Sequence, residues 1–140
     1  MAIKQLSVYA ENSKGSLARI TKVLADANVD LRSLCIADTN EYGIIRIVAD
    51  DTEKAHNAVK AAGLTSNVRE VIAIAIPDEA GGLHKVLDIL DKNDIDLEYA
   101  YSLITGKVDS AYIVLRVNDN EKTETVLKQN GIKVLSEEDI

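Results

Sequence analysis

The chain has 140 residues, 46% of them hydrophobic, with 16 Lys and Arg against 23 Asp and Glu for a net charge of −7. That balance, with no cluster of Lys and Arg, disfavours nucleic acid as a partner, and the acidic surplus serves solubility instead. No segment approaches the roughly 20 apolar residues that span a bilayer, and the single cysteine, Cys35, excludes an internal disulfide and a cysteine metal cluster.

Met1 to Gln5 leads straight into a strand pattern over Ile3 to Ala10, without signal-peptide character, so a cytoplasmic protein is expected. Asn12 and Ser13 are turn and N-cap types, and Gly15 lets the backbone bend sharply into a helix. Leu17, Ile20, Leu24 and Ala27 recur at helical spacing and make one apolar stripe, which Asn28 ends. Val29 to Thr39 reads as a strand, Asn40-Glu41 as a turn, and Tyr42 to Ala49 as the returning strand. Asp50, Asp51 and Thr52 are cap types for a helix carrying Ala55, Ala58, Val59 and Ala62, closed by Gly63. A strand over Ser66 to Val71 completes the order β-α-β-β-α-β.

The second half repeats that order. Val71 to Ile76 is a strand ended by Pro77-Asp78, and Leu83, Val86, Leu87 and Leu90 form a helical stripe. Ile95 to Ile104 is the next strand, Thr105-Gly106-Lys107 a turn, and Ala111 to Val117 the return. Asp119-Asn120-Glu121 starts a helix with Val126 and Leu127, Gly131 ends it, and Ile132 to Leu135 is the last strand. The repeat divides the chain into two units of about seventy residues, 1–70 and 71–140. Two right-handed crossovers per unit predict an α+β fold: two tandem ferredoxin-like βαββαβ units, each a four-stranded antiparallel sheet with two helices on one face. Phe and Trp are absent, so Ile, Leu, Val and Ala must build the core. Ile44 and Val48 point one way and Ile45 and Ile47 the other, so sheet packing or edge pairing between repeats or chains is expected.

The opening of the first helix in each half carries one motif twice. Asn12-Ser13-Lys14-Gly15-Ser16-Leu17 is followed by Asp30-Leu31, and Asp78-Glu79-Ala80-Gly81-Gly82-Leu83 by Asp96-Leu97. Asn or Asp, two variable residues, Gly, one variable residue and Leu, then a polar residue at the next strand start, resembles the ACT domain, a small regulatory fold that binds amino acids. The likeness covers the whole chain once per half, and Leu34 to Thr39 with Tyr42-Gly43-Ile44 is similar to the stand-alone tandem-ACT group of bacteria. The strand-start position, often Asn in ligand-binding members, is Asp in both halves here, and Lys14 and Ala80 stand where many members have Pro.

A free amino acid offers a carboxylate, an ammonium and a side chain. Unpaired N–H groups at a helix start favour an anion, and the backbone around Lys14 to Leu17 and Ala80 to Leu83 would supply them. Asp30 and Asp96 would accept from the ammonium, as would Asn12 or Asp78. The expected ligand-binding set is therefore Asn12, Ser13, Lys14, Gly15, Ser16, Leu17, Asp30 and Leu31, with Asp78, Glu79, Ala80, Gly81, Gly82, Leu83, Asp96 and Leu97. Caps and chain reversals also account for both loops, and Asp30 and Asp96 also read as exposed acids beside helix ends. Gly81-Gly82 has one glycine more than a turn needs, which favours the second loop. His56 and His84 are distant and make no metal set with Cys35; Tyr99, Tyr101 and Tyr112 read as packing or interface residues.

The leading expectation is a non-catalytic, amino-acid-binding regulatory protein that acts allosterically as a homodimer on an unidentified target. Its ligand would lie between a helix N-terminus and a strand start at a domain interface. The alternative is an assembly-only module with vestigial sites. Catalysis is disfavoured: acylphosphatases share the ferredoxin-like plan but need an arginine in the first loop, where Lys14 stands. No cofactor, metal or catalytic residue is expected.

Overall fold

The computed structural model describes residues 2–11, 13–38 and 42–140, and it divides into two compact units. The first is Lys4–Arg69. It contains β1 (Ile3–Glu11), α1 (Ser16–Asp26), β2 (Leu31–Asp38), β3 (Tyr42–Ala49), α2 (Thr52–Ala61) and the start of β4 (Thr65–Pro77). β1 runs antiparallel to β3, with Leu6 against Ile47 and Glu11 against Tyr42. β3 runs antiparallel to β2, with Leu31 against Ala49 and Asp38 against Gly43. Alternation along these strands sends Leu6, Val8, Ile45 and Ile47 to one face. There they pack with Ile20 and Leu24 of α1 and Ala55 and Val59 of α2 to form the unit's core.

The local chemistry of α1 departs from the sequence expectation. Its N-cap is Gly15, in the left-handed region at φ 86°, with no side-chain cap. Ser13 does not cap; its hydroxyl lies 2.8 Å from that of Ser16, and its carbonyl accepts from the Ser16 amide at 3.2 Å. Asn12 and the predicted Asn40-Glu41 turn lie outside the described residues. Of the three cap types proposed for α2, Asp51 takes the role, its carboxylate accepting from the Lys54 amide at 3.0 Å. The strand predicted over Val29 to Thr39 narrows to Leu31–Asp38 at its start because the Val29 amide still bonds to Leu24 of the helix, at 3.0 Å.

The second unit is Glu70–Ile140 with the chain's opening residues up to Ile3. It holds the rest of β4, α3 (Gly82–Lys92), β5 (Leu97–Leu103), β6 (Ser110–Val117), α4 (Asn120–Gln129), β7 (Lys133–Leu135) and a 3-10 turn, Glu137–Asp139. The two strands predicted to meet at Val71 are one strand, Thr65–Pro77, since nothing in Arg69-Glu70-Val71-Ile72 breaks an extended backbone. β4 pairs antiparallel with β6, Ile74 against Ile113, and with β7, Ile74 against Val134. β6 pairs in turn with β5, Leu97 against Val117. Ile72, Ile74 and Ile76 form the core with Val86 and Leu90 of α3, Leu115 and Val117 of β6 and Leu127 of α4.

Backbone devices recur between units. Gly15 and Gly81 open α1 and α3 at φ 86° and 83°, while Asn28 and Asp94 reverse the chain after them at φ 56° and 54°. Asp119 caps α4 as Asp51 caps α2, accepting from the Lys122 amide at 3.0 Å. β2 and β5 each carry a bulge near their start, between Leu31 and Ser33 and between Leu97 and Tyr99. The described chain is thus α+β, with antiparallel strands, four helices and seven strands in tandem units. Among its helices, none is long and apolar enough to cross a membrane.

Candidate functional site

In the first unit, the end of β1 and the start of α1 border a cleft of about 640 Å³. Ser13, Lys14, Gly15 and Ser16 line it from the loop, Tyr9, Ala10 and Glu11 from β1, Arg19 and Ile20 from α1, and Gly63, Leu64 and Thr65 from the segment after α2. Gly15 is essential to this shape, because φ 86° at the turn is a conformation that a Cβ disfavours. Amides of the first turn have no acceptor inside the helix, and that of Ser16 donates back to the Ser13 carbonyl at 3.2 Å. The partial positive charge of the helix start adds to Lys14 and Arg19. The Arg19 guanidinium donates to the Ala62 carbonyl at 3.0 Å, which holds it across the end of α2. Among the described residues Glu11 is the acidic side chain of the lining. On β1 the Tyr9 hydroxyl accepts from the Asn67 amide group at 3.1 Å. The floor is mixed, with Ile20 buried and Leu64 half-buried.

The second loop has the same backbone but different chemistry. Gly81 takes the N-cap at φ 83°, and the Lys85 amide donates to its carbonyl at 3.1 Å, as Arg19 does to Gly15 at 3.0 Å. Lys85 occupies the position of Arg19, and its ammonium lies 3.5 Å from Glu79, which stands where Ser13 does. Asp78 is tied by its amide to the Asp109 carbonyl at 2.9 Å, on the hairpin between β5 and β6. Gly82 is buried, and a β-carbon there would stand 2.6 Å from the Pro77 carbonyl oxygen. Close packing of helix on strand therefore accounts for the additional glycine. Ala80 and Leu83 are exposed.

The strand-start aspartates do not converge on these loops within a unit. Asp30 precedes Leu31, which sits against Ala49, whereas Glu11 sits against Tyr42. The seven steps along β3 that separate those ends span roughly 20 Å. Asp96 stands likewise at the far end of β6, since Leu97 pairs with Val117 and Pro77 with Ser110. Asp30 is engaged where it is: its carboxylate pairs with Arg32, its amide donates to Asp50 at 3.0 Å and its carbonyl accepts from the Asp50 amide at 2.9 Å. The Asp96 carbonyl accepts from the Asn118 amide at 3.3 Å and its side chain is exposed. Leu31 and Leu97 are half-buried and pack on the cores of their units.

Of the expected set, the cleft gathers Ser13, Lys14, Gly15 and Ser16, while Leu17, exposed, lies outside its lining. Tyr9, Glu11, Arg19 and the segment Gly63 to Thr65 were not expected. Arg19 carried a usable signal, one helical turn after Gly15 and so on the same side of the helix start.

A family model described as an ACT domain pair matches residues 1–140. The crystal structure of protein BT0572 from Bacteroides thetaiotaomicron is 36% identical, with a TM-score of 0.92 over 99% of this chain and 95% of that one. The ligand-free regulatory subunit of aspartate kinase from Thermus thermophilus shares the fold at 12% identity, with a TM-score of 0.69 over 91% of this chain and 90% of that one. The corresponding subunit from Thermus flavus does so at 13% identity, with a TM-score of 0.64 over 89% and 88%. No curated protein matches.

Proposed function

Because this chain belongs to the ACT domain pair family, we propose that it is a non-catalytic regulatory protein that binds a free amino acid in the cleft at Gly15. In this reading residues 1–70 and 71–140 are two ferredoxin-like domains, each with four strands and two helices on one face. The protein works in the cytoplasm as a homodimer that answers to its ligand. The observation that carries the reading is the coincidence of the first family motif with the 640 Å³ cleft. Three kinds of group meet there: amides and cations for a carboxylate, Glu11 for an ammonium, and Ile20 with Leu64 for a side chain. The second loop, from Asp78 to Leu83, is the lesser site, because Glu79 already pairs with Lys85 and Gly82 is closed against Pro77.

Glu11 replaces Asp30 as the ammonium acceptor, since Asp30 lies at the other end of its sheet. Within its own unit neither strand-start aspartate reaches the loop, so either takes part only from another unit, of the same chain or of a second copy. The assembly-only reading draws support from the exposed Leu34 and Ile36 on β2, an edge that suits self-association.

A thermal-shift screen of the twenty amino acids at millimolar concentration tests the reading. A ligand at 100 times its dissociation constant stabilises by about 2.7 kcal/mol. No shift with any amino acid would leave the assembly-only module in possession.

A further inference from the structure

The two units differ in how their helix-start cations are matched, and the difference points to the charge of the ligand. In the second unit Lys85 is met by Glu79 at 3.5 Å. In the first, Ser13 stands in place of that acid, and Lys14 adds a cation where the second loop has Ala80. Among the described residues no carboxylate pairs with Lys14 or Arg19. Arg19 is nonetheless fixed, because one of its donors is bound by the Ala62 carbonyl at 3.0 Å. A guanidinium held by a single backbone bond keeps donors in a planar fork suited to a carboxylate. Among the described residues the cleft therefore holds two cations and the positive end of α1 against the carboxylate of Glu11. The surplus is cationic, in a chain whose net charge is −7.

A neutral zwitterion satisfies one cation and Glu11 and leaves the other cation without a counter-charge. We infer that the cleft selects an amino acid with a second carboxylate, an acidic α-amino acid. One carboxylate lies at the α1 start beside Lys14, the other on the Arg19 fork, and the ammonium lies on Glu11. This rests on the amino-acid reading proposed above and adds the ligand class. It also makes the two units unequal, with the anion site in the first alone, since Glu79 neutralises the corresponding cation in the second.

The test is isothermal calorimetry on the full chain with L-glutamate, L-aspartate, their amides L-glutamine and L-asparagine, and glutarate, which keeps both carboxylates and lacks the ammonium. At least one acid should bind about two- to fivefold more tightly than its amide, the range set by an additional solvent-exposed charge pair. The same acid should bind more tightly than glutarate, and its affinity should fall as salt is raised. Arg19→Gln should abolish the preference for acid over amide, and Lys14→Gln should weaken the acid; both side chains are exposed, so the fold tolerates the changes. Equal or tighter binding of the amide overturns the ligand class and leaves the amino-acid reading standing. An acid whose affinity is unchanged in both variants overturns the assignment to this cleft. Failure of all four amino acids to bind overturns the ligand class, and the amino-acid reading falls with it only where the screen of all twenty also gives no shift.

Discussion

A β-carbon at Gly82 would stand 2.6 Å from the carbonyl oxygen of Pro77. The contact is backbone, so no side chain can swing aside to relieve it. Gly82→Ala should push α3 off the end of β4 and destabilise the protein by about 1–3 kcal/mol, the cost of overpacking a tight site. Gly81→Ala is the internal control. Nothing lies within 4 Å of its would-be β-carbon, and only φ 83° opposes the change, so the loss should be about 1 kcal/mol. Urea unfolding of both variants checks the order. A Gly82→Ala protein as stable as wild type would mean that α3 sits further from Pro77 than described.

Helix starts in this chain are of two kinds, and mutation should separate them. Asp51 and Asp119 accept from the amides of Lys54 and Lys122 at 3.0 Å, so Asp51→Ala and Asp119→Ala should each cost about 1 kcal/mol. Ser13→Ala should cost less than about 0.5 kcal/mol, as an exposed substitution away from any cap, because Gly15 and not Ser13 occupies the α1 cap. Thermal denaturation of the three variants gives the comparison. A Ser13→Ala loss equal to that of Asp51→Ala would restore the cap to Ser13.

Much of this architecture was legible in the sequence because it is written in backbone chemistry that occurs twice. Gly15 and Gly81, Asn28 and Asp94, and Gly63 and Gly131 each take a positive φ at matching places in their unit. Apolar stripes such as Ile20 with Leu24, and Val86 with Leu90, marked the faces that form the cores. The site was less legible, for two different reasons. That Asp30 lies far from Gly15 follows from a crossover returning the chain to the opposite end of the sheet, and topology alone carries it. The part Arg19 plays is not in the motif, since it depends on the Ala62 carbonyl, 43 residues further on. The close approach of Gly82 to Pro77 is likewise a packing distance, and residue types five positions apart do not encode it.

The chain's last turn should be sensitive to acid. The Asp139 carboxyl accepts from the Ser136 amide at 2.8 Å and from its hydroxyl at 3.0 Å, and these bonds, the amide's first, hold it below its ordinary value of 3.8. A carboxyl depressed in the folded state contributes stability above its unfolded pKa and loses it as pH falls through the folded one. Order in the turn over Glu137–Asp139 should therefore be complete at neutral pH and lost only below the usual carboxylate range. An NMR titration of Asp139 should give a midpoint below 3.8. Ser136→Ala, which keeps the amide bond and removes the hydroxyl, should raise that midpoint part of the way back. A wild-type midpoint at or above the ordinary value would show that the two bonds from Ser136 do not persist in solution.

The strand-start aspartates provide the sharpest division between a site built by one unit and a site shared between copies. Asp30 pairs with Arg32 at the far end of β3 from Glu11, and Asp96 stands at the far end of β6 from Pro77. Across roughly 20 Å neither carboxylate reaches an ammonium at the loop of its own unit, and Coulomb coupling over that span is screened by physiological salt. If Glu11 accepts the ammonium, Asp30→Ala and Asp96→Ala should leave ligand affinity within about twofold of wild type, whereas Glu11→Gln should weaken it about three- to fivefold, the upper part of the range for an exposed charge pair. Asp30→Ala should also free Arg32 with little loss of stability, since an exposed ion pair contributes about 0–1 kcal/mol. Calorimetry on the three variants decides the point. A selective loss in Asp96→Ala, whose side chain is exposed, would instead bring the second unit, of the same chain or of a second copy, to the ligand. Sedimentation of the ligand-bound protein separates the two cases, since a dimer that Asp96→Ala weakens marks a second copy.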